Sequence, residues 1–202
     1  MSKPSSSLLQ DLQARYSEPQ RYYHTWDHIQ ALLGHYSGIV DHLHDPVAVL
    51  WALYWHDAIY DPQASDNEDR SADLLNEMAP SELANQSRKR ADAIIRATKR
   101  HLIADGLSPN DRADMELFLD IDLSILASSQ RAFEVYEDQI RKEYAFVPEA
   151  IYVQARKGIL NGFLNRDRLF FSDVFHERWE ARARENLIRS IETLDAKEGI
   201  DG

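Results

Sequence analysis

A chain of 202 residues with 23 basic and 34 acidic side chains, a formal charge of -11 and no cysteine excludes disulfides, iron–sulfur clusters and thiolate zinc sites, and on average repels a long nucleic-acid backbone. The length suffices for one domain with a sizeable core. Seven glycines and seven prolines are few, and long stretches of Ala, Leu, Glu, Arg and Gln favour helices over sheets.

The pattern reads as about eight or nine helices with short breaks, and no alternating run supports a strand. A first helix covers Leu8 to Tyr16 and stops before the turn signal Ser17-Glu18-Pro19. Thr25 is read as the N-cap of a second that runs towards Leu43. Asp45-Pro46 opens a third, the most apolar, with His56-Asp57 near its C-terminal end. Asp66 caps a fourth, which ends near Met78, and a fifth covers Ser87 to His101 with apolar spacing through Ala91, Ile94, Ile95 and Thr98. Ser108-Pro109 starts a sixth, Asn110 to Leu126. Ser128 or Ser129 begins a seventh, Pro148 an eighth that runs to Leu164, and a last helix spans Ser172 to Leu194. Residues 1–7 and 195–202 are expected to fray. No linker, repeat or low-complexity block interrupts the series, so the chain is expected to form a single-domain all-α bundle.

The longest apolar run, Pro46 to Trp55, is ten residues, well short of the roughly 20 that span a bilayer. Met1 to Ser5 lack the apolar core of a secretory signal. A cytoplasmic location is therefore expected, without a membrane or long nucleic-acid partner; the sequence leaves the oligomeric state open.

Chemistry enters at His56-Asp57. An apolar helix gains nothing from an imidazole and a carboxylate carried into its core, because an unpaired buried charge costs several kcal/mol or is neutralised. A divalent cation compensates both at once. Three further features supply suitable side chains: His24 with His28, four apart and so on one helix face; His101; and the pair Asp120 and Asp122, which interrupts the apolar stretch Leu117 to Leu126. A mixed shell of imidazole and carboxylate suits manganese, iron, magnesium, cobalt or zinc better than calcium.

The order His28, His56-Asp57, Asp122 resembles the His…His-Asp…Asp signature of the HD-domain superfamily of metal-dependent phosphohydrolases. The resemblance covers most of the chain and is carried by Tyr22 to His28, Trp55 to Asp61, Asp66 to Ala72 and Asp120 to Leu123. In particular it resembles bacterial proteins described as predicted HD-superfamily hydrolases. The resemblance implies an all-helical fold, with His28, His56, Asp57 and Asp122 as metal ligands and Asp120 as the alternative to Asp122. Tyr23-His24 followed by His28 is similar to the Tyr-His-x-x-x-His segment of cyclic-nucleotide phosphodiesterases, which implies His24 as the proton donor. His101 resembles the extra histidine that some HD proteins use for a second metal or a substrate phosphate, and Asp120 shares that candidacy. The chain lacks the His-His-Glu and Gly-Tyr-Pro elements of the cyclic-dinucleotide branch.

The implied activity is hydrolysis of a small phosphorylated molecule, a nucleotide among the candidates, with Asp57 orienting or deprotonating the water. Arg70, Lys99, Arg141, Arg156 and Arg166 are candidates for holding its phosphate, together with Lys142. Two alternatives keep the same residues: a di-iron oxygenase of the HD type, or a regulatory module that binds metal and nucleotide without turnover. His35, His42, His44 and His176 stand outside any such pattern and are read as structural.

Overall fold

The computed structural model describes residues 3–79 and 81–198, and all regular structure among them is helical. In chain order these described residues form α1 (Ser6–Arg15), α2 (Trp26–Ile39), α3 (Pro46–Trp55), α4 (Asn67–Met78), α5 (Asn85–Thr98), α6 (Pro109–Asp122), α7 (Gln130–Glu143), α8 (Glu149–Leu164) and α9 (Asp173–Glu198). Short 3-10 segments follow α2 at Val40–His42 and α6 at Leu123–Ala127. None of these helices is long and apolar enough to cross a membrane. The helical architecture matches the all-α expectation, and the chain groups into two compact units that meet in sequence at Ile121 and Asp122, inside the last turn of α6.

The first unit is built around α3. Seven of its ten residues, Ala48 to Leu53 and Trp55, are buried, which fits a helix apolar on every side. It packs against α2, α4 and α5, and α4 packs against α5. Asp45 caps it, accepting the Ala48 N–H at 3.0 Å. Behind that cap lies a polar knot: Arg90 of α5 donates to Asp45 at 2.9 Å and pairs with Asp111 of α6 at 2.6 Å, and Ser87 donates to Asp45 at 2.9 Å. The buried Asp114 of α6 accepts the N–H groups of His44 and Asp45 at 2.8 and 2.7 Å. These bonds tie α6 to the start of α3. Each helix then runs roughly two to three turns to a metal-type side chain at its end, His56 just past α3 and Asp122 in α6.

Burial alone would raise the Asp45 carboxyl, but the Ala48 N–H, the Arg90 guanidinium and the Ser87 hydroxyl outweigh it and hold it below the ordinary carboxylate range. A depressed folded value stabilises the protein fully above the unfolded value of about 3.9, and the contribution is lost as pH falls through the folded value. Urea denaturation from pH 7 down to about 2.5 is expected to show that acid loss, with a shallower fall in Asp45→Asn. An identical fall in the variant would remove Asp45 from the account.

In the second unit α9 packs on α8 and on the 3-10 segment Leu123–Ala127. Phe170, Phe175 and Trp179 form its aromatic core, with Phe175 stacked on Trp179 at 4.0 Å. Glu180 fastens the loop before α9 by accepting the N–H groups of Leu169 and Phe170. It also accepts from His176 and Arg184. Burial would raise its carboxyl, and these donors pull it below the ordinary range.

Several boundaries differ from the sequence expectation. Ser5 caps α1 with its hydroxyl and donates its N–H to Glu82 at 3.0 Å, so the helix begins at Ser6 instead of fraying through residue 7. Thr25 and Asp66 occupy N-cap positions but accept no capping bond through their side chains. The fifth helix stops at Thr98, because the Thr98 hydroxyl takes the Ile95 carbonyl at 2.6 Å and His101 lies in the left-handed region at φ 47°. The sixth gives way to 3-10 geometry after Asp122, where Asn186 donates sideways to the Leu126 and Ser128 carbonyls. The last helix continues past Leu194 to Glu198, its end tied to α8 by the Lys157–Asp195 pair and by Lys197 near Glu149 at 3.9 Å. The expected fraying of residues 1, 2 and 199–202 concerns positions outside the described residues.

Candidate metal centre

Three chain segments deliver the site. His28 stands in the first turn of α2, His56 and Asp57 follow the end of α3, and Asp122 closes α6. His28, His56 and Asp122 each offer a ligand atom, all within 4.8 Å of one another. The Nε2 atoms of His28 and His56 are 3.2 Å apart. Asp57 Oδ2 lies 3.0 Å from His56 Nε2 and 4.0 Å from His28 Nε2.

The hydrogen bonding of His56 shows what this cluster requires. Its Nδ1 lies 3.0 Å from the Leu53 carbonyl, an acceptor, so Nδ1 carries a proton and, in the neutral ring that a metal requires, Nε2 presents a lone pair. That lone pair faces a second imidazole nitrogen and a carboxylate. One extra proton would bridge one such contact; a dication satisfies all of them together. Donors placed ~2.1 Å from a shared ion are ~3.0 Å apart when adjacent and ~4.2 Å apart when opposite, and the separations of 3.0, 3.2 and 4.0 Å fall in that span. The donor set fits a divalent metal.

Burial gives the site an inside and an outside. The side chains of His28 and His56 are 4% and 1% exposed, whereas that of Asp57 is 17% exposed. Phe118 packs edge-on against His56 at 5.8 Å between centroids. On the solvent side His24 stacks on Tyr60 at 4.3 Å and lies 6.3 Å, ring to ring, from His28, with Tyr23 against both histidines.

Among the described residues, the group within 4.8 Å holds only His28, His56 and Asp122; of the other predicted residues, Asp57 is placed by its 3.0 Å contact with His56 Nε2, Asp120 is fully buried in α6, and His101 occupies the turn after α5. Arg70 is half exposed, 3.9 Å from Asp66. Lys99 pairs with Asp69 at 2.7 Å, a bond that holds its ammonium pKa above the ordinary range.

Three candidates belong to the second unit. Arg141 donates to Glu149 and to the carbonyls of Tyr144 and Val147. Arg156 is buried against Glu137 and Tyr136. Arg166 covers the Phe163 ring at 4.6 Å, and partial burial pulls its guanidinium pKa down. His176, read from the sequence as structural, lies with Nδ1 3.1 Å from Glu180 Oε2.

Arg21 escaped the sequence reading although it is 5% exposed and lies against the site. Its partners are mostly backbone carbonyls, which leave no trace in residue types. No family model matches the chain, and no curated protein or solved structure matches it significantly.

Proposed function

We propose that this protein is a metal-dependent phosphohydrolase acting on a small phosphorylated molecule, with His28, His56, Asp57 and Asp122 holding the ion. The observation that carries this reading is the convergence of His28, His56 and Asp122 within 4.8 Å, with Asp57 Oδ2 3.0 Å from His56 Nε2 and Nδ1 of His56 already committed to Leu53. The resemblance of the same residues to the HD signature supplies the reaction class. A bound dication contributes Lewis acidity towards a phosphoryl oxygen and a water nucleophile at neutral pH.

This chain's own residues do the rest. His28 and His56 close the inner side with apolar packing behind them, so water and substrate enter past Asp57. The Asp57 carboxylate orients the attacking water and accepts its proton. His24, stacked on Tyr60, is the residue assigned to protonate the leaving oxygen. A cytoplasmic location and a single small-molecule partner complete the proposal.

The test is elemental analysis of the purified protein followed by a phosphomonoester and phosphodiester panel with manganese, magnesium, cobalt and iron. The expected result is about one metal per chain and metal-dependent phosphate release from at least one class. Metal-loaded protein inert towards every substrate would overturn the hydrolase reading in favour of a binding module.

A further inference from the structure

The segment between α1 and α2 does more than connect them. Arg21 has its side chain fully buried and spreads its guanidinium over three carbonyls. Nη1 donates to His24 O at 3.0 Å and to Asp57 O at 2.8 Å, and Nη2 donates to Ala58 O at 3.2 Å. Nε donates to Glu18 at 3.1 Å. The planar cation sits 5.0 Å from the Tyr16 ring centroid and 5.3 Å from that of Tyr60, the ring on which His24 stacks. Tyr16 adds a second hold. Its hydroxyl donates to Tyr54 O at 3.0 Å and accepts the Asp57 N–H at 3.3 Å. Both polar groups of the Asp57 main chain are thus bound by residues preceding α2, and its side chain is left to turn towards the histidines.

A buried guanidinium whose acceptors are mainly neutral carbonyls is expensive unless its donors are nearly all used. Here the bonds fall on the two segments whose relative placement the chemistry needs, the one bearing His24 and the turn bearing Asp57. They also place a cation at the C-terminal end of α3, where the helix dipole favours one. We propose that Arg21 is a positioning residue of the metal centre: it fixes His24 and Asp57 relative to each other, with Tyr16 completing the hold on Asp57. This rests on the metal reading above and extends it to residues that touch neither ion nor substrate.

The test is cobalt binding by full-length wild-type protein, Arg21→Lys, Tyr16→Phe and Glu180→Gln, read as dissociation constant and visible absorption spectrum, with a melting curve for each. Lysine keeps the charge but cannot reproduce a planar fork over three carbonyls. Arg21→Lys is expected to weaken cobalt about 10- to 100-fold and alter the absorption band, as loss of residues supporting metal ligands does. Tyr16→Phe is expected to weaken it several-fold. Glu180→Gln, which touches only the loop before α9 and its own helix, is expected to bind as wild type even if it melts earlier, which separates positioning from general destabilisation. Should Arg21→Lys fail to fold, Tyr16→Phe decides. Wild-type affinity and spectrum in the Arg21 and Tyr16 variants that fold would overturn the positioning role alone. Wild-type protein that takes up no cobalt would overturn the metal reading itself.

Discussion

His56→Ala is expected to leave the protein without bound divalent metal, to reduce phosphate release to background and to preserve its helical circular dichroism. His56 Nε2 contacts both other inner groups, at 3.2 Å to His28 and 3.0 Å to Asp57, so its removal takes the centre apart. Residues that merely support a metal ligand are worth about 10- to 100-fold in affinity, and loss of a ligand with a 1% exposed side chain should exceed that range. The structural cost is smaller. The ring sits against Phe118 and bonds to Leu53, and deleting it leaves a cavity worth about 1–3 kcal/mol against a typical stability of about 5–15 kcal/mol. Metal retained at wild-type affinity by a folded His56→Ala protein would contradict the site assignment.

The second large effect is on stability. Arg156→Ala is expected to destabilise the protein by about 3–5 kcal/mol, because it strands a partly buried carboxylate. Arg156 is 7% exposed and donates to both oxygens of Glu137 and to the Tyr136 hydroxyl. Burial works against its charge, but Tyr136 and Glu137 outweigh it and raise the guanidinium pKa. Glu137 also receives the Ser190 hydroxyl at 3.1 Å, so the pair links α7, α8 and α9. Replacing both partners, Arg156→Met with Glu137→Leu, should recover most of the loss. Urea denaturation checks both variants. If Arg156 instead grips a substrate phosphate, Arg156→Ala would leave stability near wild type and raise KM.

How far the sequence reveals all this depends on the kind of signal each residue leaves. The core helix α3 is legible because nearly every residue from Pro46 to Trp55 is apolar, and its cap because Asp45 precedes a proline. His56-Asp57 is legible because it breaks that apolar run. The choice between Asp120 and Asp122 is not, since both interrupt apolar sequence and two residues on a helix are about 200° apart. The fold buries Asp120 completely and turns Asp122 towards the histidines.

Arg156 carried a signal that could have been used: it shares the buried face of α8 with Tyr152, Val153 and Leu160, a spacing that places it inside. The predicted ends of the fifth and sixth helices fail for a different reason. They depend on the Thr98 hydroxyl and on Asn186, the latter far away in sequence. Arg21 is hidden most thoroughly, because a guanidinium that binds main-chain oxygens pairs with no particular residue type.

The most direct test is anomalous X-ray diffraction at the manganese edge on crystals grown with manganese. The account predicts one strong peak among His28 Nε2, His56 Nε2 and the carboxylates of Asp57 and Asp122, at about 2.0–2.3 Å from each ligating atom. A peak bound only by other residues, or no peak at this cluster under saturating manganese, would contradict it.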